Sequence, residues 1–460
     1  MTLLLRGGRV VDPSQRLDAV RDILLRDGVV AEIAERIDLG DASGERGGGD
    51  RGGRRGGRGG AGRGVGAGDP GVRVLDLEGK VVAPGFLDIH VHLREPGHEH
   101  KETVETGTRA AAAGGFTAVA CMANTHPVND TAAVTEHILS QARRHGYARV
   151  YPVGAVSKGL QGEELAEIGQ LHAAGVVAIS DDGRPVASSE LLRRALSYAR
   201  HFALPLVQHA QDLDLSGEGV MHEGVFSARL GMPAIPGAAE DAMVARDLLL
   251  VELTGGRYHL QHTSTARSLE LIRDAKRRGL DATCEVTPHH LLLTDQEVLR
   301  SGLSTDTKMN PPLRSARDRD ALVEALADGT VDAIATDHAP HHVDEKRVPF
   351  AIAPFGIVGL ETAVGLCLDR LVRPGTIDLA RLVDLLSCGP ARVMALPGGT
   401  LVPGSPADVT VLDLEQEWTI DPLQFQSKSR NTPFAGWKGR GAPVLTIVGG
   451  RVVEVPAPSR

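Results

Sequence analysis

Two histidines one residue apart, His90 and His92, end an apolar stretch that begins Pro84-Gly85-Phe86-Leu87-Asp88. In a β-strand residues i and i+2 share a face, about 6.6 Å apart along the chain, so the two imidazoles form a chelating pair. Single histidines end two further apolar runs, Leu206-Val207-Gln208-His209 and Tyr258-His259-Leu260-Gln261-His262. Carboxylates end two more, Ser180-Asp181-Asp182-Gly183 and the run that closes on Thr336-Asp337-His338-Ala339-Pro340-His341. Only one of Asp181 and Asp182 can face inward; Asp182 is the choice, because Asp181 can equally cap the turn at Gly183. A buried carboxylate without a partner costs several kcal/mol or takes up a proton, and a cation removes that penalty. Four imidazoles and two carboxylates exceed what one tetrahedral zinc with an open position needs. They suit two divalent ions about 3.5 to 4 Å apart, bridged by a carboxylate and a hydroxide, which together acidify water and polarise a carbonyl. The summed charge is slightly positive, so an anionic substrate is not repelled.

These residues need a scaffold that delivers strand ends to one place. From residue 84 to 394, β-branched apolar runs alternate with helical periodicity, the pattern of repeated βα units around a parallel sheet. Eight runs stand out: Phe86 to His92, Phe116 to Ala123, Val150 to Ala155, Val176 to Asp182, Leu206 to His209, Tyr258 to His262, Ala282 to Pro288 and Ala333 to Asp337. Helices are expected between them at Glu102 to Ala113, Ala132 to His145, Glu163 to Ala174, Glu190 to Phe202, Glu240 to Leu253, Ala266 to Arg278 and Arg317 to Ala327. The fold class this implies is α/β, a (β/α)8 TIM barrel, whose chemistry sits at the C-terminal ends of the strands. Residues 1–83 and 395–460 read as short strands broken by Asp12-Pro13, Asp27-Gly28 and Gly449-Gly450, and pair into a small β-sandwich domain.

Hydrophobic residues at 42% and charged residues at 24% exclude a fibrous or wholly disordered chain in spite of 55 glycines. A net charge of -9 argues against general attraction to nucleic acid or an anionic membrane. No run of apolar residues is long enough to span a bilayer, and Met1 to Arg6 lacks the pattern of a secretion signal, so a cytoplasmic location is expected. Cys121, Cys284, Cys367 and Cys388 form no CxxC pair and read as free thiols. Residues 41–71 hold 15 glycines and 6 arginines with no aromatic residue, which fits a flexible insert better than an RNA-binding arm.

Four segments carry a resemblance: Asp88-Ile89-His90-Val91-His92-Leu93-Arg94-Glu95-Pro96-Gly97, Met122-Ala123-Asn124-Thr125, Lys308-Met309-Asn310-Pro311-Pro312-Leu313-Arg314 and Thr336 to His341. They resemble the bacterial type I dihydroorotases of the amidohydrolase superfamily. The resemblance implies reversible cyclisation of N-carbamoyl-L-aspartate to (S)-dihydroorotate and water, a step of pyrimidine synthesis, at zinc. It implies one metal on His90, His92 and Asp337, a second on His209 and His262, and Asp182 as the bridge, with Asp337 also the catalytic proton shuttle. Arg94, whose planar fork can grip a carboxylate, would hold the substrate carboxylate with Asn124 and His341. Asn310 would contact the ring, and the backbone of Phe355 and Gly356 its edge. His289, His290 and His342 receive no role.

Two rival readings are a hydantoinase- or allantoinase-type cyclic amidase and an inactive relative that scaffolds aspartate carbamoyltransferase. Hydantoinases use a carboxylated lysine as bridge, and the fourth strand here ends Ser-Asp-Asp-Gly; an inactive scaffold would have lost ligands, and all six are present. Expected partners are the small-molecule substrate, further copies of the chain and aspartate carbamoyltransferase.

Overall fold

The computed structural model describes residues 2–38, 40–41, 66–67 and 72–455. Most of the Gly/Arg-rich segment 41–71, with the question of an RNA-binding arm, lies outside the described residues.

Eight parallel strands follow one another around a barrel: Phe86–Val91, Phe116–Cys121, Arg149–Gly154, Ala178–Ile179, Leu206–Gln208, Tyr258–Leu260, Ala282–Val286 and Ala333–Ile334. The ring closes where Val91 bridges His338 in parallel and the His92 amide donates to the His338 carbonyl at 2.8 Å. The strands are buried on both faces because helices cover them outside and side chains fill them inside. Small or unbranched residues such as Ala118, Ala120, Ala178 and Ala333 pack there with Leu87 and Ile89, over a floor of Val393 and Met394.

Helices Val104–Ala113, Ala132–His145, Ile168–Ala174, Ser189–Ala199, Ala238–Thr254, Ala266–Arg277 and Ala316–Ala327 alternate with the strands. Several begin at hydroxyl caps: Thr103, Ser188, Thr265 and Ser315 each accept a backbone N–H from the first turn. The third helix starts later than the sequence pattern suggests, because residues 156–166 form a closed loop, Ala166 N donating to Val156 O at 2.9 Å and Lys158 N to Glu164 O at 2.9 Å.

The two chain ends meet in one eight-stranded sheet. Its first strand, Thr2–Asp12, pairs with Leu17–Arg26 on one side and with Val72–Asp76 and then Val81–Pro84 on the other, and Val81–Pro84 is flanked by Val409–Thr419. Leu3, Leu5, Val10, Ile23, Val409 and Ile447 form its own apolar cluster.

Asp88 secures the barrel seam. Its buried carboxylate accepts from the Thr336 hydroxyl at 2.5 Å, the Thr336 amide at 3.2 Å and the His90 amide at 3.1 Å, joining the first strand to the eighth. Burial pushes its pKa up to about 7 against these bonds. Asp88→Ala leaves three buried donors unmatched and is expected to cost about 3 kcal/mol of stability. Urea denaturation monitored by circular dichroism measures this, and an unchanged midpoint would show that the seam holds without Asp88.

Candidate metal centre

The first strand carries a β-bulge where it matters. Asp88 pairs with Val119 and Val91 with Cys121, so Ile89 and His90 together oppose Ala120. Simple alternation from Leu87 and Ile89, which face the barrel interior, would turn His90 outward. The extra residue turns His90 and then His92 into the mouth, the re-aiming that bulges perform beside functional sites. Three non-glycine residues at strand ends adopt left-handed backbone angles, Arg94 at φ 63°, His262 at 31° and Asp337 at 48°. Such angles cost about 1 to 3 kcal/mol each and persist where surrounding structure enforces them.

All six sequence-derived metal candidates converge. Asp182 Oδ1 lies 3.6 Å from His90 Nε2, 3.4 Å from His209 Nδ1 and 3.5 Å from His262 Nε2, while Oδ2 lies 3.4 Å from His92 Nε2. Asp337 Oδ1 sits 3.1 Å from His92 Nε2 and 3.5 Å from His90 Nε2. His90, Asp182 and His262 form one ligand-ready set, and His90, His92 and Asp337 another. Asp181 faces away, accepting from the amides of Val156 at 2.8 Å and Ser157 at 2.9 Å and from the Ser157 hydroxyl.

The imidazoles are held by their outer nitrogens. His90 Nδ1 donates to Glu285 at 2.6 Å, His92 Nδ1 to Asn124 Oδ1 at 2.9 Å and His209 Nε2 to Gln211 Oε1 at 2.9 Å. Each bond fixes its ring so that the opposite nitrogen turns toward the carboxylates, the usual way a ligand imidazole is oriented. Glu285 also accepts from His259 Nε2 at 3.1 Å and from the His262 amide at 3.3 Å, so one buried carboxylate organises two strands. Sequence reasoning missed Glu285 and Gln211; their one signal was position, since Glu285 lies inside the seventh strand and Gln211 two residues past His209.

Electrostatics agree with a cation site. Burial alone would raise Asp182 and Asp337, but the surrounding imidazoles outweigh it and hold Asp182 well below the usual range and Asp337 near 2. Burial would likewise lower His90, yet Asp182, Asp337 and Glu285 hold it well above its ordinary value. That field draws a positive charge inward. Asp182 Oδ1 is buried and accepts no hydrogen bond from the described residues, although three imidazole nitrogens surround it. A divalent cation fits this donor set of imidazole nitrogen and carboxylate oxygen.

A cavity of about 350 Å³ opens over the cluster and is lined by Arg94, Asn124, Asn310, His341, Phe355 and Gly356 as well as by His92, Asp182, His209, His262 and Asp337. Arg94 Nε donates to Pro340 O at 3.1 Å, and no other residue among those described takes up its terminal nitrogens. Asn124 gives its oxygen to His92, which leaves its amide hydrogens for a ligand. Asn310 donates to Gln211 Oε1 at 2.7 Å. His341 lines the cavity, but its Nε2 donates to Phe355 O at 2.8 Å, so in this arrangement its donor is already used. Burial, with Arg94 and Lys346 nearby, pushes His341 down to about 2, which keeps it neutral. His290 bonds Thr287 Oγ1 and Pro311 O, a structural placement, and His342 caps a short turn at Asp344.

A closed parallel barrel with histidines and aspartates gathered at its C-terminal mouth defines a metal-dependent amidohydrolase. A model described as "Amidohydrolase family" matches residues 227–454, and one described as "Dihydro-orotase-like" matches residues 79–268. The chain is 58% identical over 452 residues to a protein named Dihydroorotase from Anaeromyxobacter dehalogenans (strain 2CP-C), covering 98% of both chains. It is 51% identical over 453 residues to a Dihydroorotase from Geobacter metallireducens (strain ATCC 53774 / DSM 7210 / GS-15), covering 98% of this chain and 99% of that one. Among solved structures, L-hydantoinase (dihydropyrimidinase) from Arthrobacter aurescens superposes with a TM-score of 0.82 at 28% identity, over 100% of this chain and 96% of that one. The chain belongs to the dihydroorotase family.

Asp182→Ala is expected to remove bound metal while leaving the far-ultraviolet circular dichroism spectrum unchanged. Elemental analysis of purified protein checks it; full metal content in the variant would take Asp182 out of the ligand set.

Proposed function

We propose that this chain is a dihydroorotase that interconverts N-carbamoyl-L-aspartate and (S)-dihydroorotate at two zinc ions. His90, His92 and Asp337 would hold one ion, His209 and His262 the other, with Asp182 shared between them. The observation that carries the reading is the cavity itself, where the cation-ready cluster faces the guanidinium of Arg94 and the amides of Asn124 and Asn310. That combination suits a small cyclic amide bearing a carboxylate. A neutral hydantoin would not need the arginine, so the fold likeness to hydantoinases does not carry their substrate. The gathered set of six ligands supports an active enzyme over an inactive scaffold for aspartate carbamoyltransferase.

When bound, the divalent ions supply Lewis acidity, acidifying water and polarising the amide carbonyl. The chain's own residues do the rest. Arg94 and Asn124 fix the substrate carboxylate and so orient the ring, converting an encounter into an aligned approach. Asp337, which lines the cavity and is held anionic, takes the proton released as water adds to the ring carbonyl carbon and passes it to the departing ring nitrogen. In ring closure the path reverses: the amide nitrogen attacks the side-chain carboxyl carbon, its proton returns through Asp337, and water leaves. Closure consumes one proton overall, so acid favours dihydroorotate and alkali favours the open form. Among the described residues no helix is long and apolar enough to cross a membrane, and the four cysteines are buried free thiols. Association with further copies or with aspartate carbamoyltransferase is the partner reading that co-purification tests.

Wild-type protein is expected to turn over dihydroorotate and to leave dihydrouracil, the same ring without the carboxylate, nearly untouched. Arg94→Ala should raise KM for dihydroorotate about 10- to 100-fold, the worth of a charge-assisted hydrogen bond, with metal content unchanged. Equal use of both substrates by the wild type would sink the assignment.

Asp337→Asn, reloaded with metal to wild-type content, should lose about 100-fold or more of kcat in both directions. Near wild-type turnover in either direction would exclude Asp337 as the proton carrier.

A further inference from the structure

The connection 420–437, between strands Val409–Thr419 and Lys438–Val448 of the small sheet, does not stay with that sheet. It crosses to the barrel mouth and is pinned there by two barrel carboxylates, the buried Glu102 and the half-buried Glu361. Glu361 accepts from the amides of Gln426 at 2.8 Å and Ser427 at 3.1 Å. Glu102 accepts from the Ser427 hydroxyl and from the Lys428 amide at 3.2 Å. The Ser429 hydroxyl donates to Lys101 O at 2.9 Å, in the same loop that carries Arg94.

Further along this strap lies Asn431, which is 5% exposed. Its Nδ2 donates to Ala339 O at 3.1 Å and to Gly356 O at 3.0 Å, its Oδ1 accepts from the His341 amide at 3.3 Å, and its carbonyl accepts from the Val358 amide at 2.9 Å. One amide therefore uses its nitrogen and its oxygen to join the loop after the eighth strand to the loop of Phe355 and Gly356. Those loops touch closely. Gly356 has φ 124°, and a Cβ there would stand 2.6 Å from the Ala339 Cβ. Ala339, His341 and Gly356 line the cavity, whereas Asn431 does not.

We infer that Asn431 is a positioning residue for substrate affinity. It sets the spacing of Ala339–His341 against Phe355–Gly356, and through that spacing the fit of the carboxylate-bearing ring. This deepens the dihydroorotase reading and rests on it. A side chain outside the cavity makes no substrate contact to lose, so its effect must pass through the two loops it joins. Displacing such a wall by a fraction of an ångström is enough to change binding substantially.

The test compares Asn431→Asp and Asn431→Ala with wild type and Arg94→Ala on dihydroorotate. Asn431→Asp keeps the size and the acceptor for His341 but replaces the amide donor with an anion facing two carbonyls. Both Asn431 variants should raise KM about tenfold with kcat within about threefold of wild type and metal content unchanged. Ser427→Ala, which loosens the strap at Glu102, should move KM in the same direction by less. Unchanged KM in the Asn431 variants, while Arg94→Ala raises it, overturns this inference and leaves the dihydroorotase reading intact. Loss of metal or of a cooperative melting transition in both Asn431 variants also overturns it, since Asn431 would then be a folding residue. A wild type inactive on dihydroorotate removes the reading and this inference together.

Discussion

A carboxylate oxygen shut away from water among three imidazole nitrogens is the constraint around which this protein is arranged. Asp182 Oδ1 has no hydrogen-bond donor among the described residues, and its anionic form is held in place by histidines from the first, fifth and sixth strands. A buried charge of this kind needs a compensating partner, and an isolated one would neutralise itself by taking up a proton. The outer nitrogens of His90, His92 and His209 are each bound to an oxygen, so the inner nitrogens converge on the carboxylates of Asp182 and Asp337. Amidohydrolase chemistry follows from that convergence, and the substrate side follows from Arg94 and the amides placed over it.

Much of this was legible in the sequence, for a physical reason. A parallel strand buried on both faces must be apolar along its length, so a polar residue at its end stands out; His209, His262, Asp182 and Asp337 were visible in this way. The eight runs and the pairing of the chain ends follow from the same periodicities. Of the two adjacent aspartates, Asp182 lies among the imidazoles, whereas Asp181 is engaged with Val156 and Ser157.

What stayed hidden was whatever depends on three-dimensional neighbours. Glu285 sits within a strand with its carboxylate wholly buried, where a charged residue carries no pattern; its partners, His90 and His259, lie on two other strands. The bulge at Ile89 and His90 is equally silent, because its sign is a change of register against a partner strand. His341 was expected to meet the substrate carboxylate, and its ring does line the cavity, yet its Nε2 donates to Phe355 O. Asn431 is separated from the loops it joins by 75 residues or more and belongs, by chain position, to the other half of the fold.

The barrel's closure has a bearing on how the enzyme matures. His92 and His338 meet across the seam, and the candidate ligands His90 and Asp337 come from the first and last strands of the ring. A nascent chain emerging from the ribosome therefore exposes the early histidines long before their aspartate partner is synthesised. The cluster of His90, His92 and Asp337 is thus a clasp fastened only once the circle is complete.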